Sequence, residues 1–151
     1  MLHNWMSLFE NYSLWDLVLP GSHDSAAYIS KNKLLYLQKY MLTQSLSIYE
    51  QMKAGVRVLD LRVVGYINYE EDGPDAKMEY WLAHTAIIVP LKLVLQEILT
   101  FINENPSEVL VLEFRADWSP VNADHFFQAK PHQSQVIRLV DTNKDDLIGF
   151  I

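Results

Sequence analysis

Short apolar runs alternate along the chain with stretches whose apolar residues recur at helical spacing. Residues 17–19 (LVL) form a run that stops at Pro20 and Gly21, which predicts a buried strand followed by a turn. Three later segments rich in Val, Leu or aromatic residues predict further strands at residues 56–64, 80–83 and 109–112. An apolar run at residues 147–151 indicates the start of a fifth strand.

Helical patterns fall mostly between these strands. A short opening helix is predicted over residues 5–12, and another over residues 33–41. A third follows Ser47, because Ser47 and Glu50 match a capping box and Gly55 suits the C-terminal cap. A fourth begins at Pro90 and stops near residue 105, just before the next proline. The order β-α-β-loop-β-α-β, with the loop at residues 68–77, predicts an α/β fold with a parallel sheet.

Ionisable residues lie where the predicted strands end. In parallel α/β proteins the carboxyl ends of the strands carry the functional site. Two of these residues, Asp60 and Arg62, share one face of the second strand, because strand side chains alternate. The full set is His23, Asp24, Asp60, Arg62, His84, Glu113 and Arg115.

Each of these residues also has an ordinary structural explanation when it is taken alone. His23 and Asp24 suit a turn, Asp60 and Arg62 could form a buried ion pair, and a lone histidine such as His84 is more often structural. Taken together they suggest chemistry on a phosphate. One imidazole can accept a proton, a second can donate one, and a guanidinium can hold the charged phosphorus centre.

Composition and charge exclude several classes of function. The chain has 151 residues and a net charge of −7, which argues against a nucleic-acid partner bound through its phosphates. It has no cysteine, so disulfides and thiolate metal sites are excluded. No secretory signal and no transmembrane helix are seen in the sequence, and we expect a cytoplasmic location.

Four blocks of the sequence resemble one known family. They are residues 19–25 (LPGSHDS), residues 43–62 (TQSLSIYEQMKAGVRVLDLR), residues 82–84 (LAH) and residues 101–115 (FINENPSEVLVLEFR). Together they are similar to the X domain of phosphatidylinositol-specific phospholipase C (PI-PLC), above all to the small X-domain-containing proteins. The resemblance implies a TIM-barrel-like α/β fold and assigns residues 1–151 to a partial X domain.

The resemblance also implies roles for the residues of the site. His23 would be the general base on the inositol 2-hydroxyl, and His84 the general acid for the diacylglycerol oxygen, with Asp24 orienting it. Arg62 would hold the phosphate, and Asp60 would fix Arg62 or contact the inositol. Glu113 and Arg115 resemble positions of the family that bind calcium and inositol respectively, and we expect both to contact substrate.

No metal and no other cofactor are expected. Calcium-dependent members of the family carry an acidic ligand where Arg62 stands here, and a guanidinium would repel Ca²⁺. The sequence therefore resembles the metal-independent bacterial type. Residues 141–145 begin like a calcium-binding loop, but Asp146 stands where that loop requires glycine, so a turn is expected.

The function implied by the resemblance is that of a phosphoric diester hydrolase that cleaves the bond between glycerol and phosphate. A full barrel takes roughly 250 residues, so we expect only its N-terminal half here, with the other half supplied by a partner or by a homo-oligomer. The expected partners are a phosphatidylinositol-like phospholipid and, transiently, a membrane surface. One alternative is a non-catalytic phosphoinositide- or protein-binding domain of the same fold. A second is a glycerophosphodiester or sphingolipid phosphodiesterase on a related barrel.

Overall fold

The structure of the chain is a computed structural model that describes residues 3–28, 40–66, 79–84 and 86–116. Two short 3-10 helices, Met6–Phe9 and Leu14–Asp16, precede the first strand. The strands are β1 (Gly21–Ser22), β2 (Val58–Tyr66), β3 (Glu79–His84), β4 (Ala86–Pro90) and β5 (Val111–Ala116), and the main helices are α1 (Ile48–Lys53) and α2 (Leu91–Glu104). No helix within these ranges is long and apolar enough to cross a bilayer.

The five strands form one sheet around β2. Strand β2 runs parallel to β1 and, from Val58 to Val63, parallel to β5. β3 pairs with residues 63–66 of β2 in the antiparallel direction, and β4 then pairs antiparallel with β3. The predicted parallel sheet is therefore confirmed for β1, β2 and β5 and wrong for β3 and β4.

The connections explain why β3 and β4 run antiparallel. A parallel neighbour needs a crossover of a dozen or more residues, usually a helix. The sequence between β2 and β3 is polar and contains Gly73 and Pro74, which disfavour a helix. A single residue separates β3 from β4, which allows only a hairpin. β4 was not predicted, because its apolar residues directly precede Pro90 and the sequence pattern does not separate them from the helix.

The first strand begins at Gly21, four residues after the predicted start at residue 17. Residues 17–19 are outside the sheet, with Val18 97% exposed, and pairing with β2 begins at Gly21. The carbonyl oxygen of Pro20 accepts hydrogen bonds from the backbone N–H groups of Arg57 and Val58 at 2.8 and 3.1 Å. At Gly21 a Cβ atom would lie 3.2 Å from Cβ of Val58, so the absence of a side chain lets the two strands approach.

The predicted helix signals of α1 and α2 are confirmed. Ser47 and Glu50 form a capping box at the start of α1, and Gly55 adopts the left-handed conformation (φ 110°) just after the helix ends. α2 begins directly after Pro90. The opening helix is shorter than predicted, since only Met6–Phe9 is helical. The helix predicted at residues 33–41 lies almost wholly outside the described residues, and the strand predicted at residues 147–151 and the loops at residues 68–77 and 141–145 lie wholly outside them.

Alternation along β2 and β5 separates an apolar face from a polar one. Leu59, Leu61 and Leu112 are fully buried in a cluster that includes Ile98 and Phe101 of α2. Burying each such side chain contributes about 1.5–3 kcal/mol relative to leaving it exposed. The apolar residues thus hold the sheet against the helices and leave Asp60 and Arg62 on the opposite face.

A buried ion pair lies where β2 and β5 begin. The side chains of Arg57 and Glu108 are both 0% exposed, and Arg57 Nε donates to Glu108 Oε2 at 2.7 Å. The guanidinium lies between the rings of Trp5 and Phe101, and the second Glu108 oxygen accepts from Met6 N at 3.0 Å. The remaining guanidinium N–H groups donate to the carbonyl oxygens of His3, Met52 and Val56. The pair therefore fastens the N-terminal segment to the sheet.

Candidate active site

The turn after β1 is fixed to the middle of β2. The backbone N–H of Ser25 donates to the carbonyl oxygen of Asp60 at 2.9 Å, and the backbone N–H of Asp60 donates to Ser25 Oγ at 2.9 Å. Ser25 Oγ in turn donates to the carbonyl oxygen of Ser22. Asp24 adopts the left-handed conformation, with φ 46°, which aspartate tolerates better than most residues. This conformation places His23 at the surface and buries Asp24.

The Asp24 carboxylate is the centre of the site. Its Oδ1 lies 2.5 Å from Arg62 Nε, and its Oδ2 lies 3.1 Å from His23 Nε2 and 3.5 Å from His84 Nε2. The side chain is 2% exposed, and neither oxygen has a partner of good hydrogen-bond geometry among the described residues. Asp24 is thus held by charge, between one guanidinium and two imidazoles.

Asp60 supports the same group of side chains from β2. Its Oδ2 lies 3.0 Å from His23 Nδ1 and 3.5 Å from an Nη atom of Arg62. The same oxygen accepts a hydrogen bond from the backbone N–H of Asp24 at 3.2 Å. Asp60 therefore contacts His23 and Arg62 together and also anchors the turn.

His84 reaches the site from the end of β3. Its Nδ1 lies 3.0 Å from the carbonyl oxygen of Met41. Because a carbonyl oxygen can only accept, this hydrogen bond requires a proton on Nδ1. The other nitrogen, Nε2, then faces Asp24 and is the atom that can gain or lose a proton.

Glu113 and Arg115 continue the polar face onto β5. In the β2–β5 register Asp60 is opposite Glu113, and Arg62 is opposite Arg115. Arg115 donates to Glu113 at 3.0 and 2.6 Å, and its Nε lies 3.7 Å from Asp60 Oδ1. The hydrogen bond to Glu113, aided by the charge of Asp60, raises the pKa of Arg115. Arg115 stays half exposed, so its guanidinium can reach a ligand.

The structure thus brings together all five residues for which catalysis was predicted, and it places the two predicted substrate contacts beside them. A small depression open to solvent lies against Asp24, Asp60 and Arg62 and is otherwise lined by small or aliphatic side chains. The sequence analysis did not identify residues 41–44 as part of the site. In this segment Met41 contacts His84, and Thr43 and Gln44 contact the turn that carries His23. Their polar members, Thr43 and Gln44, carry no local signal of a site.

Three of the residues could also offer ligands to a metal ion. One ligand atom each from His23, Asp24 and Asp60 lies within 4.8 Å of the others. However, the Arg62 guanidinium contacts both carboxylates and supplies the positive charge that such a group needs. A cation placed there would meet the guanidinium at short range.

Several known proteins are similar to this chain in sequence and in fold. No family model matches the chain. The human PI-PLC X domain-containing protein 2 is 30% identical over 136 residues, which cover 74% of this chain and 42% of that protein. The 1-phosphatidylinositol phosphodiesterase of Listeria monocytogenes is 28% identical over 114 residues, covering 74% of this chain and 32% of that protein. The solved structure of the PI-PLC from Listeria monocytogenes matches with a TM-score of 0.60 and 25% identity, over 76% of this chain and 38% of that one.

These similarities establish the fold and the family. The sheet with helices on one face is part of a TIM-barrel-like α/β fold of the PI-PLC type, corresponding to its N-terminal half. The chain belongs to the family of PI-PLC X-domain proteins. It spans less than half the length of the relatives described above.

Proposed function

We propose that the chain carries the acid-base half of a phosphoric diester hydrolase of the PI-PLC type, acting on a phosphatidylinositol-like phospholipid. One observation carries this proposal. His23 and His84 both approach Oδ2 of the buried Asp24 carboxylate, and the guanidinium of Arg62 contacts its Oδ1. Two imidazoles beside one guanidinium supply a proton acceptor, a proton donor and a phosphate-binding cation in one place.

His23 is the proposed general base. Asp60 contacts Nδ1 and Asp24 contacts Nε2, and in this proposal Nδ1 keeps its proton against Asp60 while Nε2 accepts one from the inositol 2-hydroxyl. The 2-oxygen then forms a bond to phosphorus, and the bond from phosphorus to the glycerol oxygen breaks, which leaves a cyclic inositol phosphodiester. In a second step water adds to the phosphorus and the bond from phosphorus to the 2-oxygen breaks, which releases inositol phosphate. His84 is the proposed general acid, and it gives its Nε2 proton to the departing glycerol oxygen. Asp24, whose Oδ2 lies 3.5 Å from that nitrogen, orients the ring.

The remaining site residues bind and position in this proposal. Arg62, whose side chain is 24% exposed, holds the phosphate oxygens as negative charge develops on them. Asp60 fixes Arg62 and His23 in place. Glu113 and Arg115, next along the same face, contact the inositol ring. A carboxylate and a guanidinium in contact offer an acceptor and donors to adjacent hydroxyl groups.

We further propose that the reaction needs no metal. Arg62 already places a positive charge against Asp24 and Asp60, the same two carboxylates that could ligate a cation. The guanidinium therefore takes the place of the ion as the electrophilic partner of the phosphate. Residues 1–151 act as a partial X domain in this proposal. The complementary part of the barrel comes from further chain, a partner or a second copy, and contact with the membrane surface is transient.

The test is release of inositol phosphate from phosphatidylinositol vesicles by the purified chain, with and without EDTA. We expect release that EDTA does not reduce. His23→Ala and His84→Ala should each lower the rate by about 10²-fold or more, because each removes a proton-transfer group. His3→Ala, which removes an imidazole outside the site, is the matched control and should retain the wild-type rate.

Each other outcome has a distinct meaning. Activity of His23→Ala within a few-fold of wild type would overturn the assignment. Vesicle binding by folded wild-type chain without any release would favour the non-catalytic binding domain. Release that EDTA abolishes would favour the metal-dependent phosphodiesterases on related barrels.

A further inference from the structure

A short segment at residues 41–44 contacts both proposed proton-transfer histidines. Gln44 Nε2 donates to the carbonyl oxygen of His23 at 2.7 Å, and the carbonyl oxygen of Met41 accepts from His84 Nδ1 at 3.0 Å. Between them, Thr43 Oγ1 donates to the carbonyl oxygen of Asp24 at 3.2 Å. We propose that segment 41–44 is a positioning element that sets the geometry of the general base and the general acid together. This inference rests on the function proposed above.

The segment is itself firmly held. The backbone N–H groups of Thr43 and Gln44 both donate to the carbonyl oxygen of Ala27, at 3.0 and 3.1 Å. The side chain of Met41 is only 2% exposed and anchors the other end of the segment. These contacts tie the segment to the stretch directly after the turn without using either imidazole, so the segment can act as a support.

Gln51 of α1 ties the same parts together from the buried side. Its Nε2 donates to the carbonyl oxygens of Ser25 and Leu46, both at 2.8 Å. Ser25 belongs to the turn after β1, and Leu46 follows segment 41–44. The turn, the segment and α1 therefore form one hydrogen-bonded unit, and movement of the segment would move the turn.

The turn needs this support because Asp24 is in a left-handed conformation, with φ 46°. A residue with a side chain prefers the right-handed region, so the turn tends to relax unless other contacts hold it. The carbonyl groups of His23 and Asp24 flank the strained residue, and Gln44 and Thr43 bind one each. Without these donors Asp24 could rotate its carboxylate away from Arg62 and the imidazoles.

The contact with Met41 sets the chemistry of His84. It keeps a proton on Nδ1 and leaves Nε2, 3.5 Å from Asp24, as the nitrogen that exchanges protons. If the Met41 carbonyl moved, the ring could adopt the other tautomer or rotate. The proton for the leaving oxygen would then be in the wrong place.

The first experiment compares Gln44→Ala and Gln44→Glu with wild type in the vesicle assay. Glu matches Gln in shape but lacks the N–H donor, so both variants should lower kcat by about 5- to 10-fold, the value of one hydrogen bond. KM should stay within about twofold, and the acid limb of the pH–rate profile should change, because His23 is the group affected. Gln96→Ala, on the exposed face of α2, is the control. Wild-type kcat and pH profile in the folded Gln44 variants would overturn the inference for His23.

The second experiment determines the tautomer of His84 by NMR and does not depend on catalytic activity. Long-range ¹H–¹⁵N spectra should show the Nδ1–H tautomer in wild type and in Met41→Leu, which keeps the buried anchor. Met41→Ala should give a mixture of tautomers. An Nε2–H tautomer in wild type, or an unchanged tautomer in folded Met41→Ala, would overturn the inference for His84. If the wild-type chain releases no inositol phosphate, the proposed function fails, but these spectra still decide whether the segment positions the ring.

Discussion

Removal of the buried carboxylate of Glu108 should destabilise the chain severely. Glu108→Leu would leave the Arg57 guanidinium, which is 0% exposed, without its counter-ion. Breaking a buried ion pair on one side costs about 3–5 kcal/mol, because the remaining charge is neither solvated nor paired. The backbone N–H of Met6 would lose its acceptor as well. Against a total stability of about 5–15 kcal/mol, this loss removes between about a fifth and all of the free energy of unfolding.

The double variant Arg57→Met with Glu108→Leu separates the charge from the packing. It removes the uncompensated guanidinium, and an apolar pair of similar volume is often as stable as the ion pair that it replaces. Three carbonyl oxygens lose the donors that Arg57 supplied, so recovery should be incomplete. We expect the double variant to lie within about 2 kcal/mol of wild type.

The assay is equilibrium unfolding in urea, followed by far-UV circular dichroism and by tryptophan fluorescence. Trp5, one of four tryptophans, lies over the Arg57 guanidinium, so the fluorescence change includes release of the N-terminal segment. Glu10→Gln, an exposed substitution, is the control and should change the free energy of unfolding by less than about 0.5 kcal/mol. A loss below about 1 kcal/mol for Glu108→Leu, or a double variant less stable than the single one, would refute the reasoning.

Three further predictions concern local structure. Ser47→Ala should lower the free energy of unfolding by about 1 kcal/mol through loss of the capping box, whereas the neighbouring Ser45→Ala should not. Gly55→Ala should cost about 1–2 kcal/mol, because an L-residue at φ 110° is strained; an unchanged urea midpoint would contradict this. Burial, and then the hydrogen bond to Glu97, raise the pKa of Tyr28. Its contribution to stability is therefore complete below about pH 10, the pKa of an unfolded tyrosine, and is lost as the pH rises further. Tyr28→Phe should reduce the fall in stability as the pH rises above about 10, and an identical fall in both proteins would count against it.

The ends of the helices were predictable because they depend on residues that are close together in the sequence. The capping box of α1, Gly55 after it and Pro90 before α2 each act through a few neighbouring residues, and the structure confirms them. The direction of β3 and the existence of β4 depend on pairing with distant strands, which the apolar pattern does not encode. The first strand was misplaced because the run at residues 17–19 is apolar but largely outside the sheet.

The candidate site was predictable to a different extent. Asp60 and Arg62 stood out because charged residues on one face of a buried strand need a partner, and His23 and His84 because they follow predicted strands. The family resemblance then implied a role for each. The contacts that hold these side chains were not predictable. Gln44 binds a backbone carbonyl of the turn, and Met41 contributes only a carbonyl oxygen of its own. Each of these contacts uses a backbone carbonyl, which every residue has. The residue that supplies the carbonyl therefore cannot be recognised from its type in the sequence.

The net charge of the polar face depends on how many protons its two imidazoles hold. Three carboxylates, on Asp24, Asp60 and Glu113, stand against the two permanent guanidinium charges of Arg62 and Arg115. With both imidazoles neutral the group carries one negative charge, and with one added proton it is neutral. Acid-base catalysis by two histidines requires that same single proton, held by one ring while the other is free. Under the proposed function, the protonation state that the acid-base chemistry requires would therefore also be the state whose net charge no longer opposes a phosphodiester.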